Sequence, residues 1–319
     1  MDHTSLAWER DAPTPFLTLT PGGLAEEAVT TPDILYREGK LHLYVGAIAA
    51  GHERLLVTTL QPDWLGRYSQ GAWATGASIA IDTGPHRFDS LHVFDPASVT
   101  VDGKVLLYYT AVGPDGDVLG MASSDDGRYF TKHERPIIEG RSPEVVHFGG
   151  QFHLFYVKTM PGRGYAIFSS VSRNGEDFSP VRTSPVFDVG PAGSWDSFEV
   201  TTPRIFRHND AFYMVYAAQG DPALKDIPHA FGLARCSDLT SWERYPGNPV
   251  FQKGHTSAWD DGAIWFGTVF AWEDKFYLMY EGCSARAIQQ PGPAVTQVGL
   301  AHVAVDTFDA HMASWPSGD

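Results

Sequence analysis

The sequence predicts an all-β chain folded as a five-bladed β-propeller, four antiparallel strands per blade, in one domain over residues 1–319. Three observations carry this expectation. A short motif returns five times. Each copy runs into an aromatic-rich strand, and each aromatic strand is followed by a second strand of small and β-branched residues. Five units in 319 residues are about 60 residues each, a period that belongs to radial or stacked arrays.

The motif copies begin at Thr31-Pro32-Asp33, Asp95-Pro96-Ala97, Ser142-Pro143-Glu144, Thr202-Pro203-Arg204 and Phe266-Gly267-Thr268. Seven residues after each Pro, or after Gly267, stands a turn residue: Gly39, Gly103, Gly150, Asp210 or Asp274. The aromatic strands follow as Leu41–Tyr44, Val105–Tyr109, Phe152–Tyr156, Phe212–Tyr216 and Phe276–Tyr280. Third strands are expected near Leu55, Val118, Tyr165, Phe231 and Val298. The turns Asp125-Asp126-Gly127, Asn174-Gly175 and Ser237-Asp238-Leu239 come after three of them, as hairpin chemistry requires. Segments like Trp242-Glu243-Arg244 supply a fourth, outer strand. No window has a capped, sustained 3.6-residue apolar period, so no helix is expected, and Ala217 to Ile227 reads as a loop. Phe16-Leu17-Thr18-Leu19 is expected to pair into the last blade and close the ring, because an open ring leaves two bare sheet edges.

The formal net charge of −15 repels polyanions, which argues against nucleic acid or an anionic membrane as partner and leaves neutral ligands untouched. No apolar stretch has the length of a membrane span. The start of the sequence lacks a basic flank followed by an apolar run, so a cytoplasmic location is expected. Two cysteines, Cys236 and Cys283, fall in different repeats and read as buried free thiols in a reducing compartment. The sequence leaves the oligomeric state open.

A propeller brings the starts of its inner strands to one end of a shared channel. Asp33, Asp95, Glu144 and Glu199 stand next to or near the Pro of units one to four, and Asp260 and Asp261 belong to unit five. Carboxyl groups crowded in a concave site raise one another's proton affinity. One can then stay protonated while another stays ionised, which is what cleavage of a glycosidic bond requires. Each acid taken alone reads equally well as a turn residue capping backbone N–H groups; their recurrence in aligned repeats favours function. Trp73, Trp195, Trp259, Trp265 and Trp272 are ring-stacking candidates, and packing between blades explains most of them. Trp265 is the one expected at the mouth, with His92, Arg204 and Asp261 as further substrate-binding candidates.

The segment Ser237-Asp238-Leu239-Thr240-Ser241-Trp242-Glu243-Arg244, followed by Asn248-Pro249-Val250-Phe251, resembles the blade-ending signature of the five-bladed propeller glycoside hydrolases. These are the arabinanase and xylosidase group (family 43) and the invertase and levanase group (family 32). The resemblance covers roughly residues 25 to 306, at the level of the repeats. It implies a first-blade Asp as base or nucleophile, an Asp in an Asp-Pro motif that tunes the acid, and a later Glu as general acid. Asp95-Pro96-Ala97-Ser98-Val99 matches the tuning motif; Asp33 takes the base role, and Glu144 or Glu199 the acid. The family places its first Asp before the Pro, where this chain has Thr31. Its acid Glu stands two residues before a Pro, whereas Glu144 follows Pro143 and Glu199 precedes Pro203 by four. Relatives often hold an ion or a water in the channel. A structural ion is therefore a further expectation, with His255 or His302 to touch it; no cofactor is required.

Ser123-Ser124-Asp125-Asp126-Gly127-Arg128-Tyr129-Phe130 fits an Asp-box, but five units and few channel arginines argue against a sialidase. The chain has no phosphate-loop ending, no Gly-x-Ser-x-Gly elbow and no His-Glu-x-x-His or Cys-x-x-Cys, so neither a hydrolase serine nor a dedicated zinc site is expected. The sequence thus points to a glycosidase acting on a small furanoside or short oligosaccharide. The alternatives are a non-catalytic sugar-binding propeller and an enzyme of a non-hydrolytic biosynthetic step.

Overall fold

The computed structural model describes residues 6–67, 69–291 and 294–315. The five repeats form five antiparallel sheets, blades I to V, with inner strands Ala28–Arg37, His92–Val101, Arg141–Phe148, Glu199–His208 and Ala263–Trp272. Each inner strand pairs with its aromatic strand, and that with a third strand: His52–Leu60, Gly116–Ser124, Tyr165–Ser172, Ala230–Cys236 and Gln297–Ala304. In blades II and IV two short segments share the outer position.

The core is divided among the blade interfaces. Five buried clusters correspond to the contacts I–II, II–III, III–IV, IV–V and V–I. The second strands are buried almost without interruption, as at Leu41–Ala47, Phe212–Gln219 and Phe276–Cys283, because each blade packs both faces against its neighbours. Polar clips reinforce the packing: Tyr44 Oη donates to Gly127 O of blade II at 2.8 Å, and Tyr108 Oη to Gly175 O of blade III at 2.7 Å. Gly127 ends the Asp-box turn, which is held by Gly127 N on Ser124 Oγ (2.9 Å) and by Arg128 N and Tyr129 N on Asp126.

Phe16 and Leu17 pair with Val298 of the last blade, as expected, and a further strand before them completes the closure. The outer strand of blade V is Glu9–Arg10, paired with Ala301 and His302, while Leu17 adds one further bridge to Val298. Trp8-Glu9-Arg10 repeats Trp242-Glu243-Arg244, the outer strand of blade IV. A helix the periodicity did not reveal, Val305–Ser314, seals the blade IV–V cluster with Phe308 and Met312. It is short and buries only these two side chains, with Val305 partly buried against the same cluster, too brief a run for a sustained periodic signal. Short helical turns also occur at Trp64–Arg67, Ser69–Gly76, Pro222–Leu224 and Ala285–Ile288. Cys236 and Cys283 are free and buried. Among the described residues no helix is long and apolar enough to cross a membrane.

Candidate active site

Every inner strand breaks its ladder at the same place. The pairing register shifts at Thr30/Pro32, Phe94/Ala97, Arg141/Glu144, Thr201/Arg204 and Trp265/Gly267. The residue just before each Pro or Gly takes a left-handed backbone: Thr31 (φ 30°), Asp95 (56°), Ser142 (52°), Thr202 (47°) and Phe266 (46°). Proline suits the following position because it has no N–H to leave unpaired. The consequence is functional. A regular strand points consecutive side chains to opposite faces. At these bulges both members of each pair, Thr30/Thr31, Phe94/Asp95, Arg141/Ser142, Thr201/Thr202 and Trp265/Phe266, line one axial cavity of about 380 Å³.

Four acidic residues line this cavity: Asp226, and three whose carboxyl groups reach it by different routes. Asp95 comes from its bulge, where Oδ2 accepts from Thr110 Oγ1 (2.8 Å) and Ser142 Oγ (3.2 Å) and Oδ1 is buried without a partner. Glu281 comes from the second strand of blade V, its Oε2 accepting from Thr31 N at 3.0 Å. Glu53 comes from the third strand of blade I, its Oε1 accepting from Thr30 Oγ1 at 2.5 Å. Gly46 makes that seat: a Cβ there would fall 2.0 Å from Thr30 Oγ1 and 3.1 Å from Glu53 Oε1. Burial disfavours the charged form of all three, and each feels at least one other carboxylate except Asp95, which is eased by Arg141 and Arg204. Asp95 is pushed up to about 6, Glu281 to about 7 and Glu53 to about 8. Arg141 is the cation of the wall, tied to Tyr165 Oη (3.2 Å) and Asp117 (3.3 Å) and lying 5.4 Å from the Phe94 ring centre.

Of the four acids expected to do chemistry, the cavity takes Asp95. Asp33 and Glu144 follow their prolines and lie one tier deeper on the axis, flanking Arg204. Asp33 Oδ2 accepts from Ser98 N of blade II at 2.9 Å, and Glu144 Oε1 from Ile205 N of blade IV at 2.9 Å. Glu144 Oε2 also takes Arg204 Nη1 at 3.0 Å. Burial raises both acids, Glu144 to about 7, and Arg204 opposes that shift. Here each acid caps a strand of the next blade, the backbone role open to it from sequence. Glu199 stands behind the cavity: its Oε1 accepts from Asp226 N (3.1 Å), and Asp226 O takes Trp265 Nε1 (3.1 Å). Burial and the neighbouring Asp226 carboxylate push Glu199 to about 7.

The binding candidates separate in the same way. Trp265 lines the cavity, whereas Trp195 and Trp259 stack on Tyr216 and Tyr280, Trp73 is buried, and Trp272 packs toward Trp64. Arg204 is buried below the floor, 5.4 Å from the Phe266 ring centre. His92 sits beside the cavity and accepts Glu53 N on Nδ1 at 3.3 Å. Asp261 is placed elsewhere: it holds Ser257 N (2.8 Å) and Ala285 N (2.7 Å) in an outer loop of blade V. His302 pairs with Asp11 on the outer side of blade V, and His255 bonds Thr256 O in an exposed loop, so neither faces the channel.

Glu53 and Glu281 were not found from sequence. A signal existed for Glu281. The second-strand residues opposite the wall positions are Gly46, Thr110, Val157, Ala217 and Glu281, a column with one acid. Glu53 opens a third strand, where nothing in the repeats marks it.

A ring of five antiparallel sheets is the architecture of the five-bladed propellers, and solved structures of that class superpose on most of the chain. A glycosyl hydrolase from Bacteroides ovatus gives a TM-score of 0.71 at 15% identity, covering 96% of both chains. A structure from the GH130 family of mannoside phosphorylases, which contains glycoside hydrolases that target beta-1,2 mannosidic linkages in Candida mannan, gives 0.70 at 17%, again covering 96% of each. A thermostable family-43 glycoside hydrolase gives 0.65 at 16%, covering 89% of this chain and 92% of that one. At these identities the likeness establishes the fold. No protein-family model matches the chain. An uncharacterized protein of Mycobacterium tuberculosis, Rv1502, is 27% identical over 111 residues, which span 32% of this chain and 36% of that relative.

Proposed function

We propose that the chain processes a small carbohydrate, breaking a glycosidic bond with the carboxyl groups of the axial cavity. One observation carries this reading: Glu53, Asp95 and Glu281 share a hollow with Phe94, Tyr165 and Trp265. The acids provide proton transfer and the rings provide flat apolar faces for a sugar. With values spread from about 6 for Asp95 to about 8 for Glu53, one group is mostly ionised near neutrality while another keeps its proton. The protonated acid serves the leaving oxygen, and the ionised carboxylate guides water or attacks.

Thr31 stands where the family resemblance puts a base. Glu281 accepts the N–H of Thr31 itself, so it brings a carboxyl from blade V to the same bulge of blade I. The cavity has room for one or two sugar rings, in keeping with a small furanoside or short oligosaccharide as substrate. The propeller relatives reported as hydrolases and phosphorylases make both water and phosphate acceptors to test.

The test is a panel of aryl furanosides and pyranosides, assayed with and without inorganic phosphate. The expected result is turnover with a bell-shaped pH profile between about pH 6 and 8, and a loss of about a hundredfold or more in kcat for Asp95→Asn with the thermal melt retained. Sugar binding without turnover would return the non-catalytic sugar-binding propeller. Turnover only in the presence of phosphate would make the enzyme a phosphorylase.

A further inference from the structure

We infer that the axial cavity holds only the sugar being transferred, that an uncharged apolar leaving group fills an adjoining second lobe, and that Glu53 stands at the bond between them as its proton donor. This rests on the glycoside-processing reading above.

The second lobe is a hollow of about 840 Å³ at the mouth between blades I and II. It shares Ile48, Glu53, Phe94, Arg141 and Ala294 with the first cavity. Asp95, Tyr165, Trp265 and Glu281 line only the first; Leu19, Val112 and Val295 line only the second. The first therefore carries the acids and rings of a sugar site, and the second an apolar wall of Leu19, Val112 and Val295 edged by Glu26, Glu27, His92 and Asp117. The remaining acids of the second lobe are engaged or rimward: Glu27 holds Gly51 N (3.2 Å), and Asp117 pairs with Arg141 (3.3 Å). With Glu26 they outnumber the one guanidinium of the lobe, Arg141, which is itself paired with Asp117, on a chain already at −15, and this disfavours a carboxylated or phosphorylated leaving group.

A general acid must reach the oxygen joining the two halves of the substrate. Among the carboxyl groups of the first cavity, Glu53 is the one that also lines the second. Its backbone N–H is held by His92 and its Oε1 by Thr30, so the acidic proton belongs on Oε2. That proton passes to the glycosidic oxygen as the bond from this oxygen to the anomeric carbon breaks, the bonding pair remaining on oxygen. The alcohol departs through the second lobe. Water then adds to the anomeric carbon, and its surplus proton goes to the Asp95 carboxylate.

Three measurements test this on the full chain. With the sugar that turns over in the panel, Glu53→Gln is compared on its hexyl and 2,4-dinitrophenyl glycosides. The hexyl glycoside, which needs a proton, is expected to lose about a hundredfold or more in kcat/KM; the dinitrophenyl glycoside, which does not, should lose under about fivefold, and the alkaline limb of the profile should vanish. Equal losses on both overturn the assignment of Glu53. In the wild type, kcat/KM should rise about tenfold from methyl to hexyl glycoside, fall again when the chain ends in a carboxylate, and lose the gain in Val295→Asp. Absence of a chain-length effect overturns the lobe. Saturation-transfer NMR with hexan-1-ol and hexanoate needs no turnover: hexan-1-ol bound by the wild type but not by Val295→Asp, with hexanoate unbound, upholds the lobe even if no glycoside is cleaved. Hexanoate binding as well as hexan-1-ol overturns the apolar, uncharged leaving group.

Discussion

Thr31 and Thr202 are β-branched residues held at positive φ, a conformation that costs on the order of 1–3 kcal/mol at each such site. The bulges tolerate it because the ladders on either side fix the backbone. In return, two neighbouring side chains face the cavity where a regular strand would offer one. Asp95 uses this geometry directly, and Glu199 acts through others, since it ties Asp226, whose carbonyl orients Trp265. Glu199→Ala is therefore expected to raise KM several-fold while kcat changes little and the Trp265 fluorescence shifts. Glu199→Gln, which keeps the acceptor oxygen, should restore KM. Steady-state kinetics beside emission spectra of the two variants separate this positioning role from a catalytic one.

Two elements from opposite ends of the chain repeat one device. In blade IV, Arg244 Nε meets Asp196 at 2.8 Å, Tyr216 Oη meets the same oxygen at 3.3 Å, and Arg244 lies 4.0 Å from the Phe187 ring centre. In blade V, Arg10 meets Asp260 at 2.7 Å, Tyr280 Oη meets it at 2.9 Å, and Arg10 lies 4.4 Å from the Phe251 ring centre. The N-terminal strand thus supplies to blade V what blade IV draws from its own outer strand. Removing Arg10 leaves the fully buried Asp260 carboxylate uncompensated, so Arg10→Ala should cost about 3 kcal/mol in denaturant unfolding. Arg10→Lys should recover only part, because a single ammonium cannot offer both Nε and Nη2 in one plane. Tyr44→Phe and Tyr108→Phe each delete one buried inter-blade hydrogen bond and should cost about 1 kcal/mol.

At the scale of the whole ring, the axis concentrates acids whose proton affinity is raised by burial: Asp33, Glu53, Asp95, Glu144, Glu199 and Glu281. Between the ordinary carboxylate range and these higher values, the folded chain binds more protons than the unfolded one. Stability from these groups is therefore full at low pH and is lost as pH rises through about 6 to 8. The thermal midpoint should fall from pH 5 to pH 8.5 by calorimetry, and Glu53→Gln with Glu281→Gln should flatten that slope. Three surface acids act oppositely. Backbone hydrogen bonds hold Asp126 and Asp261 below the usual range, and at Asp238 the bonds from Thr240 and Ser241 outweigh burial and bring it to about 2. Their contribution is lost only well below pH 4.

The sequence by itself determined the blades, since strand composition and turn chemistry are local and recur at a readable period: the proline column, the aromatic strands and the Asp-box turn all stand where their residues imply. It also held the closure of the ring in the repeated Trp-Glu-Arg, a signal that lies most of the chain away from its twin and is plain only once both are seen as outer strands. Which acids share the cavity was decided by tertiary structure alone. A bulge sends Asp95 up and leaves Asp33 and Glu144 below, although all three adjoin a proline. Glu53 and Glu281 join Asp95 from other strands because closing the ring brings their ends to the same mouth. Side-chain direction at a bulge and convergence around an axis arise from non-local pairing, which no single window of sequence records.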